Sequence, residues 1–206
     1  MVAMCTADPH RWAGLRIVKL DEWAGLPMRH PSTCEHYVQA NLIRPLGVPA
    51  ENYLSFTSDA PDRVAECRRV QRVLDTEWGG IDVAILGLGH NGHLGLNEPA
   101  PHCTGPAHVA QLAAGTVAHP MLKSKSVTDV SVGMTLGMDA LSSARAVLLM
   151  VTGTHKAGVL SRTLSCTKGP QLPASLLRLP REGVTPERVC VCDAAAYGQR
   201  ATAASC

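Results

Sequence analysis

Residues 81–99 of the chain read IDVAILGLGHNGHLGLNEP, and this segment decides the fold. It begins with the short apolar run Val83–Leu86, which is typical of a buried parallel strand. Four glycines then follow within nine residues: Gly87, Gly89, Gly92 and Gly95. Glycines at this density let a backbone turn sharply and let a ligand approach it closely. A buried strand that leads into such a loop is typical of a binding site at the carboxyl end of an α/β sheet.

The same loop carries a group of polar side chains. Five ionisable or amide side chains follow one another closely: His90, Asn91, His93, Asn97 and Glu98. One interpretation is a tight strand-to-helix turn in which these polar residues are incidental. The density of groups that can bind or exchange protons favours the other interpretation, a functional site.

Composition excludes several classes of protein. The chain has 206 residues, 46% hydrophobic and 17% charged, so we predict a single domain over residues 1–206 with a real core rather than a disordered chain. A net charge of +2 and 3% aromatic residues argue against a nucleic-acid partner. The longest apolar run, 146–151, is too short to span a bilayer, and the first residues do not resemble a signal peptide. We therefore expect a cytoplasmic protein with no membrane partner.

The eight cysteines are scattered along the chain and form no CxxC pair. Their spacing is not that of a zinc site. Cys190 and Cys192 lie two residues apart in a predicted strand, where pairing with each other would be geometrically poor. We expect reduced cytosolic thiols that pack as small hydrophobic side chains.

An acidic pair follows the first predicted strand. Residues 16–20 (RIVKL) are expected to form that strand, and Asp21 and Glu22 come directly after it. Catalytic acids and bases often lie where a parallel strand stops. A solvated acidic turn explains the pair equally well.

The rest of the chain alternates predicted helices and strands. A helix is expected from Thr33 to about Arg44, with Ser32 and Glu35 as a capping box and Pro45 as its end. A second helix is expected after a cap at Ser58 or Asp59, and it ends before residues 79–80. Further strands are predicted at residues 107–112, 130–136, 146–152 and 189–192. This alternation predicts an α/β fold with a mostly parallel sheet covered on both faces.

Three motifs, GLGHNGHLGLNEP, LDEWAGLP and VTGTHKA, together resemble the glucosamine-6-phosphate deaminase/isomerase family of amino-sugar enzymes. Their order and spacing are similar to the family pattern from about Arg16 to Asp193. Within the family, KLDEW, the PSTCE stretch followed by IRPLG, and NGHLGLNEP resemble most closely the galactosamine-6-phosphate branch. The resemblance implies a Rossmann-like α/β sandwich and a reaction without a cofactor or metal.

The resemblance also implies roles for particular residues. In the family an amino-sugar phosphate opens its ring, isomerises through an enolamine toward the ketose, and loses ammonia to water. Asp21 matches the base that moves the C2 proton, and His93 matches the histidine that assists ring opening. Glu98 matches the carboxylate that belongs to the hydrogen-bonded group of that histidine. Lys156, in the first turn of a predicted helix, matches a phosphate ligand, and a helix N-terminus favours that anion. The implied partner is a small amino-sugar phosphate, and a homo-oligomer is left open.

Two departures from the family pattern bear on activity. Asn91 stands where the glucosamine branch has aspartate, so the group around His93 loses a charge; the galactosamine branch carries Asn there. The family also has an N-terminal strand, helix and phosphate-binding loop before the LDEW strand, and residues 1–15 do not supply them. We therefore expect a chain truncated at its start, with Lys156, Lys123 and the loop glycines Gly89 and Gly92 as the remaining candidates for binding the substrate and its phosphate.

Three other functions remain open. A 6-phosphogluconolactonase-like hydrolase of the same superfamily shares the glycine-histidine loop, although residues 97–99 (NEP) argue against it. The chain could also be a non-catalytic sugar-phosphate binder. A metal site is the least favoured, because no two of the four candidate histidines have a helical i, i+4 spacing with a carboxylate partner. Those histidines are His90, His93, His102 and His108.

Overall fold

The structure is a computed structural model, and it describes residues 12, 14–101, 104–117, 122, 130–165, 167–178 and 187–198. The chain divides into two compact units, residues 1–70 with 109–135 and residues 71–108 with 136–206. Each unit is described by itself below. The single domain expected over residues 1–206 stays a prediction.

The elements alternate as the sequence predicts. The strands are β1 (Ile17–Val18), β2 (Asp21–Trp23), β3 (Tyr53–Leu54), β4 (Val83–Gly87), β5 (His108–Gln111), β6 (Val132–Thr135), β7 (Ala146–Val151) and β8 (Glu187–Cys192). The α-helices are α1 (Cys34–Val38), α2 (Arg44–Leu46), α3 (Arg63–Arg72), α4 (Ala114–Val117), α5 (Met138–Ser143), α6 (Ala157–Ser165) and α7 (Ala194–Tyr197). Shorter segments are π-helical at Gln39–Ile43 and Val73–Glu77 and 3₁₀-helical at Ala50–Asn52, Thr154–Lys156 and Pro173–Arg178.

The first unit contains two small sheets. Strand β1 pairs in parallel with β3, and Ile17 faces Tyr53. Strand β2 pairs antiparallel with β6 in a three-stranded sheet of order β2-β6-β5. Phe56 and Met134 are fully buried in this unit. The mostly parallel character predicted from the sequence therefore has an antiparallel exception at β2.

The first helical region begins and ends later than predicted. Its N-cap is Thr33, not Ser32, because the Thr33 hydroxyl accepts the His36 N–H at 3.0 Å. The helix also continues through Pro45 and ends at Gly47, which adopts a left-handed φ of 64°. Pro45 follows the π-helical segment, where the Arg44 N–H donates to the Gln39 carbonyl five residues back, so the proline, which has no N–H, falls where the regular α-helical hydrogen bonds are already interrupted.

The cap of α3 also differs from the prediction. The Asp62 carboxylate accepts the N–H groups of Val64 and Ala65 at 3.0 and 2.9 Å, so Asp62 caps the helix rather than Ser58 or Asp59. Ser58 and Asp59 were plausible caps because their side chains offer the same acceptor oxygens. The predicted end before residues 79–80 is correct, since the π-helical segment after α3 stops at Glu77.

The second unit contains a wholly parallel sheet of order β4-β7-β8. Ala84 and Leu86 of β4 are buried, whereas Val83 and Ile85 are 59% and 48% exposed. The prediction that this strand is buried on both faces is therefore wrong for one face. Successive side chains point to opposite faces of a strand, and an uninterrupted apolar run does not show whether both faces are covered.

The fold class predicted from the sequence is confirmed: parallel strand pairs lie among helices in an α/β arrangement. Helix α5 lies between β6 and β7 along the chain, and α6 follows β7 as expected. Within the described ranges, no helix combines the length and the apolar character needed to cross a membrane.

Candidate active site

The loop after β4 folds tightly around the ring of His93. The Gly89 N–H donates to the His93 carbonyl at 2.9 Å, and the Gly92 N–H donates to the Gly89 carbonyl at 3.1 Å. A Cβ atom at Gly89 would collide with the His93 ring, so no larger residue fits there without displacing that ring. Gly92 has a φ of 89°, a conformation that favours glycine. The two glycines thus form the turn that presents His93.

Asn91, His93 and Glu98 form a hydrogen-bonded chain within this loop. The Asn91 Nδ2 donates to Glu98 Oε2 at 2.8 Å. The Asn91 Oδ1 accepts the backbone N–H of His93 at 3.1 Å and lies 2.8 Å from His93 Nδ1. Glu98 Oε2 is itself 3.4 Å from the same ring nitrogen. The structure brings together three of the residues that the sequence singled out.

This chain of contacts determines which ring nitrogen of His93 carries the proton. An ionised carboxylate only accepts hydrogen bonds, so the Asn91 amide must turn its NH₂ toward Glu98 and its oxygen toward the ring. The ring nitrogen that faces this oxygen, Nδ1, must then be the donor. The other nitrogen, Nε2, keeps its lone pair, so neutral His93 can accept a proton there and return it.

Replacing Asn91 with aspartate tests this assignment. A carboxylate at this position cannot donate to Glu98 and places a negative charge 2.8 Å from the position of Nδ1. We expect this charge to favour the protonated form of the His93 ring, so the limb of the pH–rate profile governed by that ring moves to higher pH. Profiles of kcat for the wild type and Asn91→Asp make the comparison. An unchanged limb would show that Asn91 does not act on the reacting histidine.

Asn97 closes the loop. It is 2% exposed, and its Nδ2 donates to the carbonyls of Leu94 and Leu136 at 2.8 and 2.9 Å. This amide fixes the end of the loop against the segment that follows β6, and so fixes the backbone of the adjacent Glu98. The sequence showed Asn97 as one more polar residue of the loop, but only its long-range contact with Leu136 reveals a structural role.

Lys156 lies close to the same loop. It ends the 3₁₀ turn that precedes α6, and its Nζ donates to the Leu88 carbonyl at 2.7 Å. Burial lowers the pKa of the Lys156 amine. One amide at this turn, the Gly153 N–H, is bonded to the Asp193 carboxylate at 3.0 Å. The lysine amine, rather than that amide, is therefore the group that an anion would meet here.

The remaining candidates lie outside the hydrogen-bonded chain of Asn91, His93 and Glu98. His90 is exposed, and its ring meets that of His93 edge-on with centroids 5.5 Å apart. His108 Nδ1 lies 3.0 Å from the Pro106 carbonyl. Among the described residues, no three His, Cys, Asp or Glu side chains cluster as metal ligands would. Lys123 and His102 lie outside the described residues.

Asp21 belongs to the first unit, and its setting differs from the prediction. It does not follow the end of a parallel strand but opens β2, where it pairs with Thr135 of β6. Strand β1 ends at Val18, and the Lys19 N–H donates to the Leu54 carbonyl at 2.8 Å just beyond it. Glu22, the residue after Asp21, has an exposed fraction of 0%, so a solvated acidic turn is the wrong interpretation for Glu22.

Comparison with known proteins identifies the family that the chain is similar to. Residues 1–186 match the family model described as glucosamine-6-phosphate isomerases/6-phosphogluconolactonase. AgaI of Escherichia coli (strain K12), named as a deaminase, is 42% identical over 165 residues, which are 80% of this chain and 64% of AgaI. A glucosamine-6-phosphate deaminase of Geobacillus is 33% identical over 82% of this chain and 70% of its own length.

Solved structures show the same fold. A monomeric glucosamine-6-phosphate deaminase superposes with a TM-score of 0.83 at 25% identity, over 95% of this chain and 81% of its own. The 6-phosphogluconolactonase of Thermotoga maritima superposes with a TM-score of 0.71 at 17% identity, over 93% and 79% of the two chains, which is evidence for the fold alone. The resemblance seen in the three sequence motifs is thus confirmed. The chain belongs to the family of glucosamine-6-phosphate isomerases and 6-phosphogluconolactonases.

Proposed function

We propose that the chain acts as a deaminase/isomerase that converts an amino-sugar 6-phosphate to the ketose 6-phosphate and ammonia. The observation that carries this proposal is the chain of contacts from Glu98 through Asn91 to His93, which leaves a ring nitrogen able to exchange a proton. Opening a hemiacetal needs such a group near neutral pH. The cytoplasm, where sugar phosphates are metabolised, is the proposed location.

His93 acts on the closed form of the sugar. Its Nε2 takes the proton of the anomeric hydroxyl and delivers it to the ring oxygen, so the bond between C1 and the ring oxygen breaks and the ring opens to the free C1 aldehyde. Gly89 leaves the space that the imidazole occupies. Asn91 and Glu98 hold the ring in the required tautomer, and an imidazolium formed during the step is stabilised by Glu98 at 3.4 Å.

Asp21 carries out the isomerisation in this proposal. Its carboxylate removes the proton from C2, next to the C1 aldehyde, and returns it to C1 of the enolamine, which leaves an imine at C2. Water then adds to the resulting imine at C2 and ammonia leaves. Lys156 is the proposed ligand of the phosphate, since its amine lies against the glycine loop at the Leu88 carbonyl. Gly89 and Gly92 form the turn that would present His93 to the sugar.

Galactosamine-6-phosphate is the proposed preferred substrate. Asn91 supports this preference because the resemblance to the galactosamine branch includes an amide at that position. An ammonia-release assay with galactosamine-6-phosphate and glucosamine-6-phosphate tests the reaction and the sugar together. Hydrolysis of 6-phosphogluconolactone, measured in parallel, would instead make the chain a lactonase. Binding of either amino-sugar phosphate without turnover would make it a non-catalytic binder.

Replacing His93 with alanine should slow ring opening most. We expect the rate from the closed amino sugar to fall about 10²–10⁴-fold, the usual loss on removing a general acid–base. In the reverse direction, from the ketose phosphate and ammonia, the steps that precede ring closure should slow less. Exchange of the C1 proton with deuterated solvent measures the rate of those steps. His108→Ala, which removes a partly exposed histidine elsewhere, is the control. Equal losses in the forward and exchange assays would show that His93 is structural.

A further inference from the structure

The turn that presents His93 packs against a part of the second unit that has no role in the reaction as described so far. The Gly92 carbonyl accepts the Ala174 N–H at 2.9 Å. A Cβ atom at Gly92 would collide with the side chain of Leu172 and would lie 3.6 Å from Val159 Cγ2, so the glycine backbone packs directly against both side chains. Leu172 and Val159 are each 6% exposed. Gly92 is thus held by a hydrogen bond to its carbonyl and by two buried apolar side chains.

Leu172 is itself held in place by a closed turn over residues 169–175. The Leu172 N–H donates to the Gly169 carbonyl at 3.0 Å, and the Ser175 N–H donates to the Leu172 carbonyl at 2.8 Å. The Ser175 Oγ accepts the Gly169 N–H at 3.0 Å, and Ser175 is 0% exposed. Because a backbone N–H that is buried without a partner is costly, these bonds favour a single conformation of the turn. Leu172 therefore meets Gly92 from a fixed position.

The conformation of Gly92 determines whether Asn91 can bond the ring of His93. These two residues flank Gly92, and His93 Nδ1 lies 2.8 Å from Asn91 Oδ1. A rotation of the Gly92 backbone would turn the two side chains relative to each other and lengthen that contact. Glycine has no side chain of its own to restrict such a rotation. The restriction therefore has to come from the hydrogen bonds of Gly92 and from the residues packed around it.

We infer that Leu172 is a positioning residue for His93: packed against Gly92, it holds the turn in the conformation in which Asn91 bonds ring Nδ1 and Nε2 keeps its lone pair. The inference rests on the proposed function for the part that His93 plays in ring opening. Protein interiors are closely packed, so truncating Leu172 leaves a space into which the Gly92 backbone can move. A displacement of about 1 Å at a reacting group is enough to slow a reaction about 10²-fold.

The tautomer of His93 reports this positioning without any turnover. NMR of the ring nitrogens, in the chain made with isotope-labelled histidine, distinguishes a protonated Nδ1 from a protonated Nε2 at about pH 9, where an imidazole is neutral. We expect the wild type to carry the proton on Nδ1 of His93. Leu172→Ala should show a mixture of the two tautomers, because the contact with Asn91 is no longer enforced. The spectrum of His93→Ala identifies the signals of His93.

Three further variants make the comparison specific. Leu176→Ala is the matched control, because Leu176 is also buried, at 8% exposed, but the side-chain atoms nearest to Gly92 belong to Leu172 and Val159. It should keep the wild-type tautomer. Leu172→Met nearly conserves the volume of the side chain and should keep that tautomer too. Ser175→Ala retains Leu172 but removes the hydroxyl that closes its turn, so it should shift the tautomer as Leu172→Ala does, even where the latter fails to fold.

The effect on the reaction should fall on kcat rather than on KM. We expect kcat from the closed amino sugar to fall about 10–10²-fold in Leu172→Ala and to be largely restored in Leu172→Met. KM should change little, because Lys156, the proposed ligand of the phosphate, is retained. Leu176→Ala should keep both constants close to those of the wild type, at a temperature where circular dichroism shows every variant to be folded.

The outcomes separate this inference from the proposed function. A tautomer of His93 that is the same in the wild type, in Leu172→Ala and in Ser175→Ala would overturn the inference. Equal losses of kcat in Leu172→Ala and Leu176→Ala would show a merely structural leucine and overturn it as well. A wild-type chain without turnover would contradict the proposed function alone, and the tautomer of His93 in the variants would still decide whether Leu172 positions the ring.

Discussion

Turnover of amino-sugar phosphate should fall about 10²–10⁴-fold when Asp21 is replaced with asparagine, the range typical of removing a general base. The amide is nearly the same size as the carboxylate but cannot take the C2 proton. Binding should survive, because the proposed ligand of the substrate phosphate is Lys156. Ammonia release gives the rate, and isothermal titration with the ketose phosphate gives the affinity.

A second measurement identifies the step that is lost. In deuterated water the wild type should exchange the C2 proton of the substrate, and Asp21→Asn should not, which NMR of the recovered sugar shows directly. Asp82→Asn is the matched control, because Asp82 is an exposed carboxylate paired with Arg145 at the surface. Near-normal exchange in Asp21→Asn would remove Asp21 from the role of base.

The group around His93 could be predicted because it is local. Asn91, His93 and Glu98 lie within eight residues of one another, and the glycines between them leave few ways to fold the loop. Local sequence could thus indicate which side chains meet. It could not indicate the order of the contacts, which depends on the Asn91 amide lying between Glu98 and the ring.

The setting of Asp21 could not be predicted from sequence, since it is made by residues distant along the chain. Lys19 bonds Glu35, sixteen residues later, and the carbonyl of Phe56, thirty-seven residues later. Charged residues are usually exposed, so nothing in KLDEW alone indicates a buried lysine and glutamate. The cap of α1 was missed for a related reason: Ser32 and Thr33 can both cap, and the backbone conformation decides between them.

Lys19 lies at the centre of this buried cluster. It is 4% exposed, and its three N–H donors meet three acceptors: Glu22 Oε2, Glu35 Oε2 and the Phe56 carbonyl at 2.6, 2.9 and 3.2 Å. Glu35 also accepts the Tyr53 hydroxyl at 2.8 Å. The positive charge of Lys19 is the partner of two carboxylates that are nearly inaccessible to water.

Removing the positive charge of Lys19 should lower the free energy of unfolding more than a substitution at the surface does. In Lys19→Met the stem length is kept, but two buried carboxylates lose their counter-charge, and breaking a buried pair in this way costs about 3–5 kcal/mol. Urea unfolding at neutral pH measures the loss. Arg145→Met is the control, because the Arg145–Asp82 pair is 82% and 76% exposed and such pairs contribute at most about 1 kcal/mol.

The dependence of this loss on pH distinguishes charge from packing. In the wild type, burial alone would raise the pKa of Glu35, but hydrogen bonds from Lys19, Gln39 and Tyr53 hold it below 4.5. Glu35 therefore stabilises the fold above pH 4.5, and this contribution is lost as the pH falls through the lowered folded-state pKa.

In Lys19→Met the burial effect prevails, the pKa of Glu35 rises above its ordinary value, and acidification toward pH 4.5 relieves the unpaired charge. The stability difference between wild type and Lys19→Met should accordingly narrow as the pH falls, whereas a loss of packing would give the same difference at every pH. A difference below about 1 kcal/mol at neutral pH, or one that does not change with pH, would show that Lys19 is not the counter-charge of this cluster.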